Sequence, residues 1–137
     1  MIPALVACAA MTIQILMPLD RPKMLEAIAK VEAWDGKTKG KAGEWGRYQM
    51  TPGIFHQYVR LPVGVTVRTA THAQLHEAAV KHLDWIIDAL TEHKLPVNAY
   101  TVGLAWGAGF EAVRTNSASA MKRDYAQRCA NLYWENP

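Results

Sequence analysis

The sequence predicts one mainly α-helical domain with a small β or irregular insert after its first long helix. Three observations support this prediction. The chain has 137 residues, which suits one domain and is short for two. Apolar residues repeat at helical spacing over most of the chain, between residues that favour helix ends. Glycine and lysine are concentrated in one stretch, residues 36–50, where no helical repeat is visible.

Residues 1–19 form an apolar segment, and we assign the folded domain to residues 20–137. The segment carries no charged side chain, so it lacks the positive start of a secretory signal, although Leu5-Val6-Ala7-Cys8 resembles a lipoprotein cleavage box. It is about long enough to cross a bilayer, but two prolines and a glutamine interrupt it. A leader remnant and a first helix both remain open, and we expect no stable membrane insertion.

Composition excludes several classes of function. Hydrophobic residues make up 50% of the chain and charged residues 20%, a globular mixture that excludes intrinsic disorder. The net charge of +3 suits an anionic partner, but the chain has no dense basic block, so we expect no nucleic-acid partner. Cys8 and Cys129 stand far apart, form at most one bridge, and predict no zinc site.

The first helix is predicted over residues 21–34, between the N-cap Asp20 and Gly36. Its apolar residues share one face: Met24, Leu25, Ala27, Ile28 and Val31. Glu32 falls on that same face, where burial, the negative end of the helix dipole and the neighbouring Trp34 should raise its pKa. A carboxyl group that keeps its proton near neutral pH is suited to general acid catalysis. A glutamate that reaches solvent from a frayed helix end is the structural alternative.

Helical signals continue after the glycine-rich stretch. Thr51-Pro52 starts a short helix. Residues 61–70 alternate like a strand but contain a glycine, so we predict an extended connector and hinge. Thr71 and Gln74 form a capping box. The longest helix follows, with a stripe that runs until Pro96: Leu75, Ala79, Leu83, Ile86 and Leu90.

Two further helices complete the predicted domain. Asn98 caps the first of them, and Ser119 caps the last. The last helix carries an apolar stripe: Met121, Tyr125, Cys129 and Leu132. His72 and His76 stand four residues apart, but the acid that a zinc protease needs between them is missing, so we expect no metal and no other cofactor.

Four short motifs carry a family resemblance. In order, they are Val31-Glu32, Gly46-Arg47-Tyr48-Gln49-Met50 with Thr51-Pro52, Ala105-Trp106-Gly107-Ala108-Gly109, and the helix from Tyr125 to Tyr133. Their order and spacing resemble the lysozyme-like superfamily, closest to the soluble lytic transglycosylase and goose-type-lysozyme-like domains. The resemblance covers roughly residues 22–133.

The resemblance implies an α+β lysozyme-like fold and a peptidoglycan-cleaving glycosidase. Such an enzyme, a lytic transglycosylase or a muramidase, cuts the β-1,4 bond between N-acetylmuramic acid and N-acetylglucosamine. Glu32 would be its general acid, with no metal or cofactor. The implied partner is the peptidoglycan strand, and we expect a monomer that is located in the cell envelope, secreted or phage-encoded.

The resemblance also assigns substrate-binding residues. Gln49 and Tyr48 would line the cleft, although strand pairing is the structural alternative for Gln49. Tyr125 would donate a hydrogen bond near the acid, and its spacing is equally suited to core packing. Trp45 and Trp106 would present flat faces to sugar rings, or belong to the core instead.

Glu44 is the candidate second carboxylate, because a muramidase needs one at this place in the motif. A transglycosylase uses the N-acetyl group and the C6 hydroxyl of its substrate instead, and Glu44 would then be a solvated charge. Ala33 and Gly107 depart from the family, which has serine and asparagine there, and the loop before Gln49 is short and lysine-rich. These departures favour the alternative of a catalytically inactive, lysozyme-like protein that binds glycan or serves as a structural part of a phage or secretion apparatus.

Overall fold

The computed structural model describes residues 18–34, 46–60, 63–64 and 66–135, with Ala33 and Trp34 described by their backbone alone. The predictions for residues 1–17, including Cys8, and for residues 35–45, including Gly36, Glu44 and Trp45, lie outside this part, as do those for the side chains of Ala33 and Trp34. Six α-helices occur in the described residues: α1 (Arg21–Trp34), α2 (Pro52–Tyr58), α3 (His72–Glu92), α4 (Ala99–Ala108), α5 (Phe110–Arg114) and α6 (Ala120–Glu135). The same residues contain no strand, and the mainly α class is confirmed.

Side-chain caps lie at the starts of five of the six described helices, all but α5. Thr71 and Gln74 form the predicted capping box of α3, and Asn98 forms a second one with Thr101 at the start of α4. Asp20, Thr51 and Ser119 each accept one backbone N–H of the first helical turn. Because these caps satisfy N–H groups that have no partner inside the helix, the predicted starts are confirmed.

The connector before α3 differs from its prediction. Residues 63–64 and 67–69 form turns instead of an extended segment. The backbone N–H of Thr69 donates to the carbonyl oxygen of Thr66 at 3.0 Å, and Val67 is buried. The extended conformation was therefore wrong for these residues, because local turn hydrogen bonds outweighed the strand-like alternation. The helix after it also ends early, at Glu92, well before Pro96.

The core is formed where α6 packs against α1 and α4, and α3 packs against α2 and α4. All five apolar residues predicted for the buried face of α1 are buried. A β-carbon at Gly103 of α4 would lie 3.0 Å from the β-carbon of Cys129 in α6, so glycine permits the close approach of these two helices. Cys129 is a free, buried thiol, and burial raises its pKa to about 12.

The first turn of α6 departs from the predicted stripe. Cys129 is buried as expected, but Met121 is 77% exposed. The buried face of α6 consists instead of Ala126, Cys129, Ala130 and Tyr133. Met121 borders a cavity, so in this turn the stripe faces open space and not the core. No helix in the described ranges is long and apolar enough to cross a membrane.

Candidate active site

A cavity of about 760 Å³ lies between the end of α1, the turn before α2, and helices α2 to α6. Four of the predicted site residues line it: Glu32, Gln49, Trp106 and Tyr125. They come from four separate parts of the chain, and the fold brings them to one place. A volume of this size with mixed aromatic and polar walls is typical of a ligand site.

The side chains of Glu32 and Tyr125 form a direct hydrogen bond. The phenol oxygen of Tyr125 donates a hydrogen bond to Oε1 of Glu32 at 2.7 Å. Burial, together with the neighbouring Cys129 and Glu32, raises the pKa of Tyr125 well above its ordinary value. The phenol therefore keeps its proton at any physiological pH and acts as a fixed donor to the carboxyl group.

Gln49 lies in a tight turn and not in a strand. Its backbone N–H donates to the carbonyl oxygen of Gly46 at 3.1 Å, and its side-chain Nε2 donates to the same oxygen at 2.8 Å. The φ angle of Gln49 is 48°, in the left-handed region that residues other than glycine seldom adopt. The turn holds this strained backbone and places Gln49 in the cavity wall.

Tyr48 lies behind the cavity wall and does not line it. Its side chain is 2% exposed, and its hydroxyl group is 3.0 Å from Nδ1 of His76. Its carbonyl oxygen accepts a hydrogen bond from Nε1 of Trp106 at 3.3 Å. The resemblance implied that Tyr48 lines the cleft, but the turn at residues 46–49 directs its side chain into the core, where Tyr48 supports Trp106.

Four further residues with aromatic rings line the cavity and were not predicted as site residues: Tyr58, His82, Trp85 and Phe110. The hydroxyl group of Tyr58 is 3.0 Å from Nδ1 of His82, and burial lowers the pKa of His82 to about 4. His82 is therefore a neutral imidazole near neutral pH. Its ring also lies edge-on to Trp106, with the centroids 4.8 Å apart.

Trp85 is the most exposed aromatic residue of the cavity, at 49%. Its ring is parallel to that of His82 within 8°, with the centroids 6.2 Å apart, and edge-on to Phe110 at 6.0 Å. Trp85 and Phe110 also border a second cavity of about 610 Å³. One sequence signal could have found Trp85: it lies about a third of a turn from the centre of the apolar stripe of α3, where a large aromatic residue has no core to join.

Few of the described residues that line the first cavity are charged. Glu32 is the one carboxylate among the described residues that line it, and Lys122 and Arg128 are the cations. The described part of the chain contains no group of His, Cys, Asp and Glu residues that could hold a metal ion. Glu44 and Trp45, which were also predicted here, belong to the residues outside the description.

The chain matches no family model, and no curated protein and no solved structure is significantly similar to it.

Proposed function

We propose that this chain is a lysozyme-like glycosidase that cleaves the β-1,4 bond between N-acetylmuramic acid and N-acetylglucosamine in peptidoglycan, with Glu32 as its general acid. The observation that supports this most is the hydrogen bond from Tyr125 to Glu32 in the wall of an aromatic-lined cavity. The order of the sequence motifs adds independent support. A substrate of this kind favours a location in the cell envelope, secretion, or a phage origin.

The proposed chemistry is proton donation to the glycosidic oxygen. Because Oε1 of Glu32 already accepts a hydrogen bond from the hydroxyl group of Tyr125, the acid would carry its own proton on Oε2. Transfer of that proton to the leaving oxygen breaks the bond to the anomeric carbon, through a transition state with positive charge on the sugar ring. Tyr125 fixes the orientation of the carboxyl group, which lowers the cost of reaching this geometry.

Aromatic side chains would hold the sugar rings. Trp106 and Trp85 both line the cavity, and each is fixed by a neighbouring ring. The apolar faces of pyranose rings pack well on such surfaces, while their hydroxyl groups need polar partners. Gln49 and the neutral imidazole of His82 supply polar groups in the same wall.

Two acceptors for the cleaved sugar are consistent with this site. If water is the acceptor, a second carboxylate must take part, and Glu44 is the candidate from the sequence. If the C6 hydroxyl of the substrate is the acceptor, Glu32 protonates the leaving oxygen and then removes the proton of that hydroxyl. The motif around Gln49 resembles the transglycosylases more than the animal lysozymes, so we favour the second route.

The deciding experiment incubates the purified protein with peptidoglycan and separates the soluble products by mass. Glu32→Gln should keep the fold and bind glycan but lose cleavage, because the amide fills the same space without a transferable proton. General acid catalysis is worth roughly 10²–10⁴-fold in rate. Glu77→Gln is a matched control, since Glu77 pairs with Lys81 on the surface of α3. Full activity of Glu32→Gln would contradict the assignment.

A catalytically inactive glycan-binding or structural protein is the second candidate function. Gly107 favours it, because this residue lines the cavity beside Tyr125 and has no side chain, where the resemblance implies an asparagine. Binding of peptidoglycan by the wild type without soluble products would support this candidate over the enzyme.

A further inference from the structure

Helix α6 places two cations in the cavity wall. Lys122 and Arg128 both line the cavity, and Tyr125 lies between them on the same helix. Glu32 carries the one carboxyl group among the described lining residues, and as a general acid this group would be protonated, and so uncharged, before the reaction. The α6 side of the cavity therefore attracts an anionic group of a bound ligand.

Arg128 has hydrogen-bonding capacity that the described residues do not use. A guanidinium group has five N–H donors, and its Nε atom is buried without a hydrogen-bond partner. Oδ2 of Asp124 lies 3.2 Å from that nitrogen, so the two groups form an ion pair without the alignment of a hydrogen bond. The Arg128 side chain as a whole is 41% exposed, so a ligand acceptor would meet its other N–H donors, because the buried Nε is out of reach.

Lys122 adds a second positive charge on the same wall. It is exposed, and none of the ion pairs between described residues includes it. The next residue, Arg123, is different: its Nη1 donates to the carbonyl oxygen of Ala118 at 2.6 Å, and it does not line the cavity. Two adjacent cations on one helix thus differ in whether they face the candidate site.

On the basis of the proposed function, we propose that Lys122 and Arg128 bind a carboxylate of the substrate and make the chain selective for carboxylate-bearing glycans. Arginine binds a carboxylate with two parallel hydrogen bonds, and lysine adds a point charge. Neutral chitin chains lack this group, and the free amines of chitosan would be repelled. Peptidoglycan offers two such carboxylates: the lactyl group of muramic acid where the stem peptide has been removed, and the carboxylates of the stem peptide itself.

The test measures affinity in a Glu32→Gln background, so that the ligands stay intact. The ligands are neutral chitooligosaccharides, peptide-free muramyl strands, and muropeptides in which the lactyl group is bound to the peptide. At least one of the two carboxylate ligands should bind with an affinity at least about tenfold higher than that of the neutral chain. Added salt should reduce this preference. Tight binding of the peptide-free strands alone identifies the lactyl carboxylate, and tight binding of the muropeptides alone identifies the peptide.

Variants then assign the preference to residues. Arg128→Gln and Lys122→Gln should each weaken binding of the carboxylate ligands far more than binding of chitooligosaccharides. Arg128→Lys should restore part of the preference, and Arg123→Gln should have no effect. If Arg128→Gln does not fold, the exposed Lys122 still provides the test. Equal affinity for all three ligands would overturn the inference, and so would an equal loss of affinity for neutral and anionic glycans in the Lys122 and Arg128 variants. If the wild type still cleaves peptidoglycan, the proposed function stands even when the inference fails. No binding and no cleavage of any glycan would overturn both.

Discussion

The ring of Tyr125 lies directly against the backbone of Gly107. A β-carbon at Gly107 would fall 2.7 Å from Cδ1 and 2.8 Å from Cε1 of that ring, closer than carbon atoms approach without a shift of the structure. The missing side chain in α4 therefore makes room for Tyr125, whose hydroxyl group reaches Glu32 on α1. The glycine at position 107, where the resemblance implies an asparagine, thus has a steric reason in this chain.

We predict that Gly107→Ala displaces Tyr125 and weakens its hydrogen bond to Glu32. Overpacking of this kind costs about 1–3 kcal/mol of unfolding free energy, partly offset by about 1 kcal/mol from the higher helix propensity of alanine. Cleavage should fall more than stability, because the orientation of the acid depends on Tyr125. Thermal unfolding and the rate of product release from peptidoglycan measure the two effects.

Gly53→Ala is the control for this substitution, since a β-carbon at Gly53 in α2 meets nothing within 4 Å. It should be as stable as the wild type or slightly more stable, with unchanged activity. A Gly107→Ala protein that is also unchanged in both measurements would show that the contact with Tyr125 is easily relieved.

The second prediction concerns Glu44 and the identity of the products. On the route that we favour, products end in 1,6-anhydro sugars, one water lighter than hydrolysis products, and Glu44→Gln stays largely active because one carboxylate performs both proton transfers. Mass spectrometry of the products, with and without the substitution, checks both statements. Reducing-end products together with an inactive Glu44→Gln protein would identify a muramidase instead.

The third prediction is that Trp85 contributes to glycan binding. Trp85→Ala should weaken binding of a glycan strand roughly fivefold or more, because it removes an exposed ring fixed between His82 and Phe110. Trp134→Ala is a matched control, since Trp134 is 41% exposed and lines neither cavity. Equal losses of affinity in the two variants would argue against a specific role for Trp85.

The fourth prediction is a loss of stability between about pH 6.5 and pH 4 that depends on His82. Burial lowers the pKa of His82 from 6.5 to about 4 in the folded chain, so the unfolded chain binds its proton first as the pH falls. The free energy of unfolding should therefore decrease through this interval, by roughly 3 kcal/mol from this residue, and this contribution should level off below it.

His82→Gln provides the comparison, because glutamine keeps a polar group near Tyr58 and does not titrate. Urea unfolding of both proteins at several pH values separates the contribution of His82 from that of all other groups. Parallel pH profiles for the two proteins would contradict the prediction.

Local sequence signals predicted the helices well because their causes are local. The capping box of Thr71 and Gln74 depends on three residues of separation, and the buried face of α1 follows from its repeat. These signals were weaker where one pattern had two interpretations. The alternation in residues 61–70 is typical of a strand, yet Thr66 and Thr69 close a turn.

The candidate site was predicted only in part. The motifs identified most of its residues, but they could not predict how the chain turns between them. The motifs pointed to Glu32, Gln49, Trp106 and Tyr125, all of which line the cavity. The motif could not reveal that Tyr48 turns inward, because the left-handed backbone at Gln49 changes the direction of the chain.

The starts of α1, α2, α3, α4 and α6, the buried face of α1 and the unusual place of Glu32 on that face could all be predicted from the sequence. The hydrogen-bond partner of Glu32 could not be predicted in this way, because Tyr125 is 93 residues away and its approach depends on how closely α4 and α6 pack. The same packing brings Trp85 and His82 of α3 to the wall that α6 completes. A helical repeat specifies a face, whereas the partner of that face depends on the positions and angles at which whole helices pack.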